Sequence, residues 1–234
     1  EAHDRTRQGI VLYMASLVKH IPPDDAKVSQ VFKRLMDALS TPSEMVQRSI
    51  SQSLAALVGK AAVKPDAPLY VTSLLSTLTT TPSYAVRRGA AFGLAGLVKG
   101  LGISSLKQHG VMDRLKCAVE GKAKGEQTSN AREGALHAFE LLCEVLGRLF
   151  EPYIITILPL LLQCVADGSG GVRYAAVAAS QRIMSQLTAQ GVRMVLPALL
   201  HALAEDKWRS VHASVELLGA MAYCAPKQLS STLP

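Results

Sequence analysis

Residues 83–97 read SYAVRRGAAFGLAGL, and this stretch decides the fold class. It follows a Thr-Pro-Ser turn at 81–83 and continues with small and apolar residues at the spacing of one helix face. Related stretches recur along the chain, each with a polar residue, usually arginine, close to its start. These polar residues occupy positions 7, 47, 87, 132, 173 and 209, so the steps between them are 40, 40, 45, 41 and 36 residues. The chain is therefore built from repeated units.

A repeat of this length with two helical segments per copy is typical of HEAT and armadillo proteins. The sequence predicts an all-α fold, a right-handed HEAT-repeat α-solenoid with five helix pairs and half a unit at each end. The Thr-Pro-Ser turn between the two helices of a pair occurs at 41–43 and again at 81–83. Because both ends interrupt a unit, we expect a single segment of a longer solenoid. The predicted units are 1–21 (half), 27–62, 66–101, 103–149, 151–190, 191–225 and 226–234 (half).

Local signals place several helix ends. Asp25, after the two prolines at 22–23, is expected to cap the helix that begins at 27. Residues 121–130 are the one long hydrophilic stretch, and we expect them to form a loop. Asn130 is then expected to cap a helix over 131–150.

Composition excludes several classes of protein. Hydrophobic residues make up 49% of the chain and aromatic residues only 5%, which suits packed helices. The most apolar runs, 153–165 and 192–204, are shorter than the roughly 20 residues that a membrane span needs. The four cysteines stand far apart without metal-binding spacing, so we expect buried, reduced thiols in the cytosol or nucleus. No membrane partner is expected.

Motifs for catalysis and cofactor binding are missing from the sequence. The chain contains neither a phosphate-binding GxxxxGK[ST] loop nor an HExxH zinc motif among its six histidines. We therefore nominate no catalytic, cofactor-binding or metal-binding residue, and enzyme activity is not expected.

The recurrent arginines sit where a positive charge is mildly unfavourable, beside the positive end of a helix. We expect a carboxylate of a neighbouring turn, such as Asp4, Asp167 or Asp206, to compensate each one. Direct binding of a ligand is the alternative interpretation. The predicted structural arginine ladder comprises Arg7, Arg87, Arg132, Arg173 and Arg209.

One segment is markedly basic. Residues 99–124 carry a net charge of +4, out of +7 for the whole chain, and are punctuated by glycines. Such a segment is suited to sequence-independent contact with phosphate groups, although a solvated charged edge would look the same. The candidate contact residues are Lys99, Lys107, Arg114, Lys116, Lys122 and Lys124.

Three blocks carry a resemblance to a known family: GLAGLVKGLGISSLK at 93–107, REGALHAFELLCEVLGRLFEPY at 132–153 and ASVELLGAMAYCAPKQLSSTLP at 213–234. They resemble the central part of the giant HEAT-repeat translational activator called general control non-derepressible one. That part is in turn similar to the HEAT domain of fungal elongation factor three.

The resemblance implies a cytoplasmic, ribosome-associated scaffold that detects stalled ribosomes and activates the kinase of initiation factor two alpha. The central region would contact the ribosome, through ribosomal RNA phosphates or acidic ribosomal proteins, and an ABC-type ATPase partner. The kinase would bind other parts of the full-length protein. The competing interpretation is a ribosome-independent HEAT adaptor, such as a nuclear-transport or phosphatase scaffold.

Overall fold

The computed structural model describes residues 2–18, 20–121, 126–204, 208–224, 226 and 230. Regular secondary structure within these residues is entirely helical, in agreement with the predicted all-α class. The helices are α1 (Ala2–Val18), α2 (Ala26–Ala38), α3 (Glu44–Leu57), α4 (Ala67–Thr80), α5 (Tyr84–Leu101), α6 (Ser104–Gln108), α7 (Val111–Glu120), α8 (Glu126–Leu146), α9 (Glu151–Val165), α10 (Gly170–Met184), α11 (Ala189–Leu203) and α12 (Trp208–Cys224).

The chain divides into two compact units, Glu1–Leu115 and Lys116–Pro234. In the first unit, α3 lies between α1 and α5, and α2 and α4 cover these three helices as a second layer. In the second unit, α10 lies between α8 and α12, and α9 and α11 form the second layer. Each unit is therefore a stack of helical hairpins, as the repeat spacing predicts.

Helical periodicity explains how the hairpins hold together. Val28, Phe32 and Leu35 on α2 recur at intervals of three and four residues, and all three are buried. On α3, Ile50, Leu54 and Leu57 form the matching buried stripe. The cap predicted for α2 is confirmed, because the Asp25 carboxylate accepts a hydrogen bond from the Lys27 backbone N–H at 2.8 Å.

Helix α5 carries four glycines where it packs against earlier parts of the chain, Gly89, Gly93, Gly96 and Gly100, which we call the glycine seam. A Cβ added at Gly89 or Gly93 would meet Leu39, and the other two glycines face α3. A Cβ added at Gly96 would collide with the Ser51 carbonyl, and one at Gly100 with the Ala55 carbonyl. Both pairs step by four residues in the same direction, so α3 and α5 are parallel and in backbone contact.

The predicted loop at 121–130 is wrong over 126–130. Helix α8 begins at Glu126, so Asn130 lies inside the helix and does not cap it. Glutamate and glutamine at 126 and 127 are strong helix formers, and they extend the helix beyond the expected start. Residues 122–125 lie outside the described part of the chain.

The end of α8 also differs from the prediction. The helix stops at Leu146 rather than at Phe150, because Gly147 adopts a φ of +54° that few other residues tolerate. A short 3-10 turn, Gly147–Phe150, then leads into α9.

Two described cysteines are buried, as expected. Burial raises the pKa of the Cys143 thiol to about 12 and that of Cys164 to about 11, so both stay protonated at neutral pH. The expectation is wrong for Cys117, which is exposed. It lies on α7 opposite the buried stripe that includes Leu115 and Val119. The Cys224 side chain lies outside the described residues.

One helical run within the described residues, Thr128–Val165, is long and apolar enough by composition to cross a membrane. It joins most of α8 to α9 through the turn at Gly147, whereas the sequence-based expectation considered 153–165 alone. Both helices pack against α10, and Leu136 and Phe139 on α8 are fully buried. The run is a bent pair of helices that pack against α10.

Candidate functional site

The arginines of the predicted ladder fall into three groups. Arg87 is buried, and its Nη1 donates to the carbonyl oxygens of Thr81 (3.1 Å) and Pro82. Arg173 does the same in the second unit, donating at 2.8 and 2.9 Å to the carbonyls six and five residues earlier. In both cases backbone carbonyls of the preceding turn accept hydrogen bonds from the guanidinium, a contact that the sequence did not suggest.

Arg132 does reach a carboxylate of a neighbouring turn. Its Nε lies 3.0 Å from Asp167 Oδ2, and its Nη2 lies 3.4 Å from Asp167 Oδ1. Asp167 Oδ1 also accepts from the Ser169 backbone N–H at 2.8 Å. This pair therefore connects α8 to the turn that precedes α10.

Arg7 and Arg209 are exposed. The Arg209 guanidinium lies 5.2 Å from the centre of the Trp208 ring. Within the part of the chain that the structure describes, neither arginine forms an ion pair with a carboxylate. Asp206, proposed as a partner from the sequence, lies outside that part.

Gln47 occupies the ladder position of the second repeat and is completely buried. Its Nε2 donates to the carbonyl oxygens of Leu39 (3.0 Å), Thr41 (2.6 Å) and Ala85 (2.8 Å). Its Oε1 accepts from the Nε of Arg88 at 2.9 Å. Gln47 thus connects two successive turns of the first unit.

Arg88 completes this connection, and the sequence did not single it out. Its Nη2 donates to the Pro42 carbonyl at 2.7 Å, and its Nη1 lies 3.5 Å from Glu44 Oε2. Its guanidinium also lies 5.4 Å from the Tyr84 ring centre. These polar groups are engaged in holding the repeats together, so they leave little hydrogen-bonding capacity for a ligand.

The basic segment predicted from the sequence is solvent-accessible where it is described. Lys99, Lys107 and Arg114 in the first unit are exposed, and Lys116 at the start of the second is partly buried. None of these four pairs with a described carboxylate. Lys122 and Lys124 lie outside the described residues.

The packing of the first unit extends this surface to two lysines that sequence reasoning missed. Because α3 and α5 are parallel, the loop that follows α3 lies at the same edge as the loop that follows α5. The first of these loops carries Lys60 and Lys64. Lys99 lies in the last turn of α5, and Lys107 lies in α6, just beyond the second loop. We call these four residues the basic edge. Lys60 lies 39 residues before Lys99, close to one repeat length, and this spacing could have identified it from the sequence.

The basic edge belongs to the more strongly charged half of the chain. The first unit holds 14 lysines and arginines against 8 acidic residues, a net charge of +6. The second holds 11 against 10, a net charge of +1. Nearly all of the excess positive charge therefore lies in the first unit.

No cluster of three or more potential metal ligands occurs among the described residues. The described residues present charged and apolar surface on stacked helices.

Comparison with known proteins identifies a matching family. The profile of the family described as "EF3 N-terminal HEAT repeat" matches residues 87–234. Among solved structures, a designed armadillo repeat protein in complex with peptide (KR)4 has a TM-score of 0.42 at 18% identity, covering 92% of this chain and 91% of that one.

Three relatives carry the resemblance further. The human "Stalled ribosome sensor GCN1" is 52% identical over 233 residues, covering 100% of this chain and 8% of that protein. The "eIF-2-alpha kinase activator GCN1" of Saccharomyces cerevisiae is 36% identical over 228 residues, covering 97% of this chain and 8% of that protein. "Elongation factor 3" of Gonapodya prolifera is 29% identical over 166 residues, covering 70% of this chain and 15% of that protein.

The chain thus spans about a twelfth of the length of its GCN1 relatives. The similarity to the general control non-derepressible one family, noted on the sequence, is confirmed over the whole chain. The chain belongs to the EF3 N-terminal HEAT repeat family.

Proposed function

We propose that this chain is a non-enzymatic scaffold segment of a cytoplasmic translational regulator, and that its basic edge contacts the ribosome. The names of the relatives, a stalled-ribosome sensor and a kinase activator, support the general role. The ribosome contact is the part of that role for which this chain's own surface supplies a physical reason.

The charge distribution is the observation that carries the proposal. The positive charge is concentrated in one unit, and the exposed members of its basic edge have no carboxylate partner among the described residues. Lysines on flexible stems bind phosphate oxygens without selecting a base sequence, and they release counterions as they do so. Ribosomal RNA phosphates are therefore the favoured target, with acidic surfaces of ribosomal proteins as the second.

The other polar positions serve the stack in this proposal. Arg87 and Arg132 are engaged by neighbouring turns, so they hold the surface in place rather than bind a partner. Activation of the kinase of initiation factor two alpha would use other parts of the full-length protein. Binding of an ABC-type ATPase stays a proposal that rests on likeness to the family.

A pair of charge reversals tests the ribosome contact. Lys64→Glu combined with Lys99→Glu changes one exposed lysine on each side of the basic edge. We expect the fraction of chain that co-sediments with ribosomes at physiological salt to fall several-fold, because two favourable contacts become repulsive.

Arg148→Glu combined with Arg193→Glu is the matched control. Both arginines are exposed in the second unit, and this pair changes the net charge by the same amount. If the two double variants lose ribosome binding equally, total charge rather than the basic edge is responsible. A chain that stays in the light gradient fractions at every salt concentration would support the ribosome-independent adaptor instead.

A further inference from the structure

A groove of about 440 Å³ separates α10 and α12 in the second unit. Tyr174 and Val177 form its α10 wall, and Trp208, His212 and Glu216 form its α12 wall. These residues recur at intervals of three and four, so they face the groove from successive helix turns. The structure shows two parallel rows of side chains with open space between them.

Two large aromatic side chains at this groove are exposed to solvent. Tyr174 is 72% exposed and Trp208 is 69% exposed, whereas Val165 and Ala213 at the base of the groove are buried. Tryptophan and tyrosine are the residue types that contribute most to binding when a partner covers them. The second layer, α9 and α11, does not cover the aromatic rings, which stay exposed.

The charges of the groove are unevenly placed. Arg173 and Arg209 both lie in the first turn of their helices, where the helix dipole adds positive potential. Arg173 is fixed by its bonds to the preceding turn, and Arg209 is stacked on Trp208. Among the described residues that line the groove, the one carboxylate, Glu216, lies two turns further along α12 than Arg209. One end of the groove therefore favours an anion beside aromatic surface.

We propose that the Tyr174–Trp208 groove binds a short acidic peptide segment of a protein partner, with an aromatic or branched apolar side chain next to its carboxylates. The apolar side chain would enter between Tyr174 and Trp208, and the carboxylates would pair with Arg173 and Arg209. This contact is separate from the basic edge, which lies in the first unit.

A single-stranded RNA could also stack on exposed aromatic rings. The groove favours the peptide, because a nucleic acid carries a phosphate on every nucleotide and would place some beside Glu216, whereas a peptide can confine its carboxylates to the Arg173 and Arg209 end. The second unit also has a net charge of only +1. A peptide side chain also matches the buried apolar base that Val165 and Ala213 provide.

Trp208 is the only tryptophan of the chain, so its fluorescence reports on this groove directly. The probe is a synthetic peptide of aspartates that contains two phenylalanines, titrated into the 234-residue chain. We expect a saturable blue shift of the tryptophan emission, because the peptide removes water from the indole ring. The same peptide with lysines in place of the aspartates should leave the emission unchanged.

Two further variants locate the binding. Arg209→Glu should weaken binding of the acidic peptide by about tenfold or more, the scale of a central interface residue. Arg148→Glu, which changes an exposed arginine elsewhere in the second unit, should leave the affinity unchanged, and neither variant should alter the helical circular dichroism signal.

Tyr174→Ser tests the aromatic wall. This variant should also weaken binding of the acidic peptide, as measured by the fluorescence anisotropy of a labelled peptide. The proposal is overturned if the lysine peptide binds equally well, if Arg209→Glu has no effect, or if single-stranded oligouridylate perturbs Trp208 at lower concentration than the acidic peptide does.

Discussion

At the scale of single residues, His137 on α8 is a buried imidazole held between two carboxylates. Its Nε2 lies 3.8 Å from Glu133 Oε1, and its Nδ1 lies 3.7 Å from Glu140 Oε2. Burial lowers the pKa of His137, but polar interaction with both glutamates and their negative charges outweigh it. The net result is a pKa above the usual 6.5.

A raised pKa in the folded chain means that protonation of His137 stabilises the fold. This contribution is complete below the unfolded value of about 6.5 and is lost as pH rises through the higher folded value. We therefore expect the free energy of unfolding to fall across this range in the wild type and to vary less in His137→Gln. Urea unfolding at a series of pH values measures this free energy for both chains.

His201→Gln, at an exposed position on α11, controls for the loss of an imidazole. Parallel pH profiles for the wild type and His137→Gln would contradict the role assigned to the two glutamates.

At the scale of helices, the glycine seam fixes how closely α5 approaches α3. Gly96→Ala would normally stabilise a helix by about 1 kcal/mol. Here the new Cβ would meet the Ser51 carbonyl, which belongs to backbone and cannot turn aside. We expect a net loss of about 1 to 3 kcal/mol as the two helices separate.

Gly9→Ala is the matched control, because Gly9 lies inside α1 of the same unit with nothing within 4 Å of an added Cβ. This variant should be neutral or more stable. Chemical denaturation measures the free energy of unfolding of both variants. Equal stabilisation by the two alanines would show that α3 and α5 are not in backbone contact.

The sequence could predict the helices and several of their contacts. Periodicity located the hairpins, and the choice of Asp167 as a partner for a ladder arginine agrees with its position beside Arg132. Arg87 and Arg173 bind backbone carbonyls instead, and sequence patterns do not show where carbonyl oxygens point. The start of α8 was not predicted because the hydrophilic composition of 121–130 was given more weight than the helix propensity of these residues.

At the scale of the whole chain, repeat spacing and charge are organised differently. The repeats continue through both units, whereas the positive charge is concentrated in the first. Lys60 and Lys64 join the candidate surface only because α3 and α5 are parallel, a fact that requires the packed structure. The sequence could therefore predict the charge of the 99–124 segment, but it could not predict which lysines share the basic edge.

The charge asymmetry predicts a particular salt dependence. The logarithm of the binding constant for ribosomal RNA should fall linearly with the logarithm of salt concentration, with a slope set by the number of phosphate contacts. Removing one contact should reduce the slope by roughly 0.7 to 0.9. Lys64→Ala with Lys99→Ala should thus flatten the slope by about 1.4 to 1.8, as measured by filter binding. An unchanged slope would remove both lysines from the RNA contact.

The glycine seam also restricts how this chain can vary in length. Adding or deleting one residue between Gly89 and Gly100 rotates everything beyond it by about 100° around α5. The remaining glycines would then turn away from α3, and bulkier neighbours would face its carbonyls. We expect natural variants to gain and lose residues in the loops between hairpins while the length of this helix stays constant.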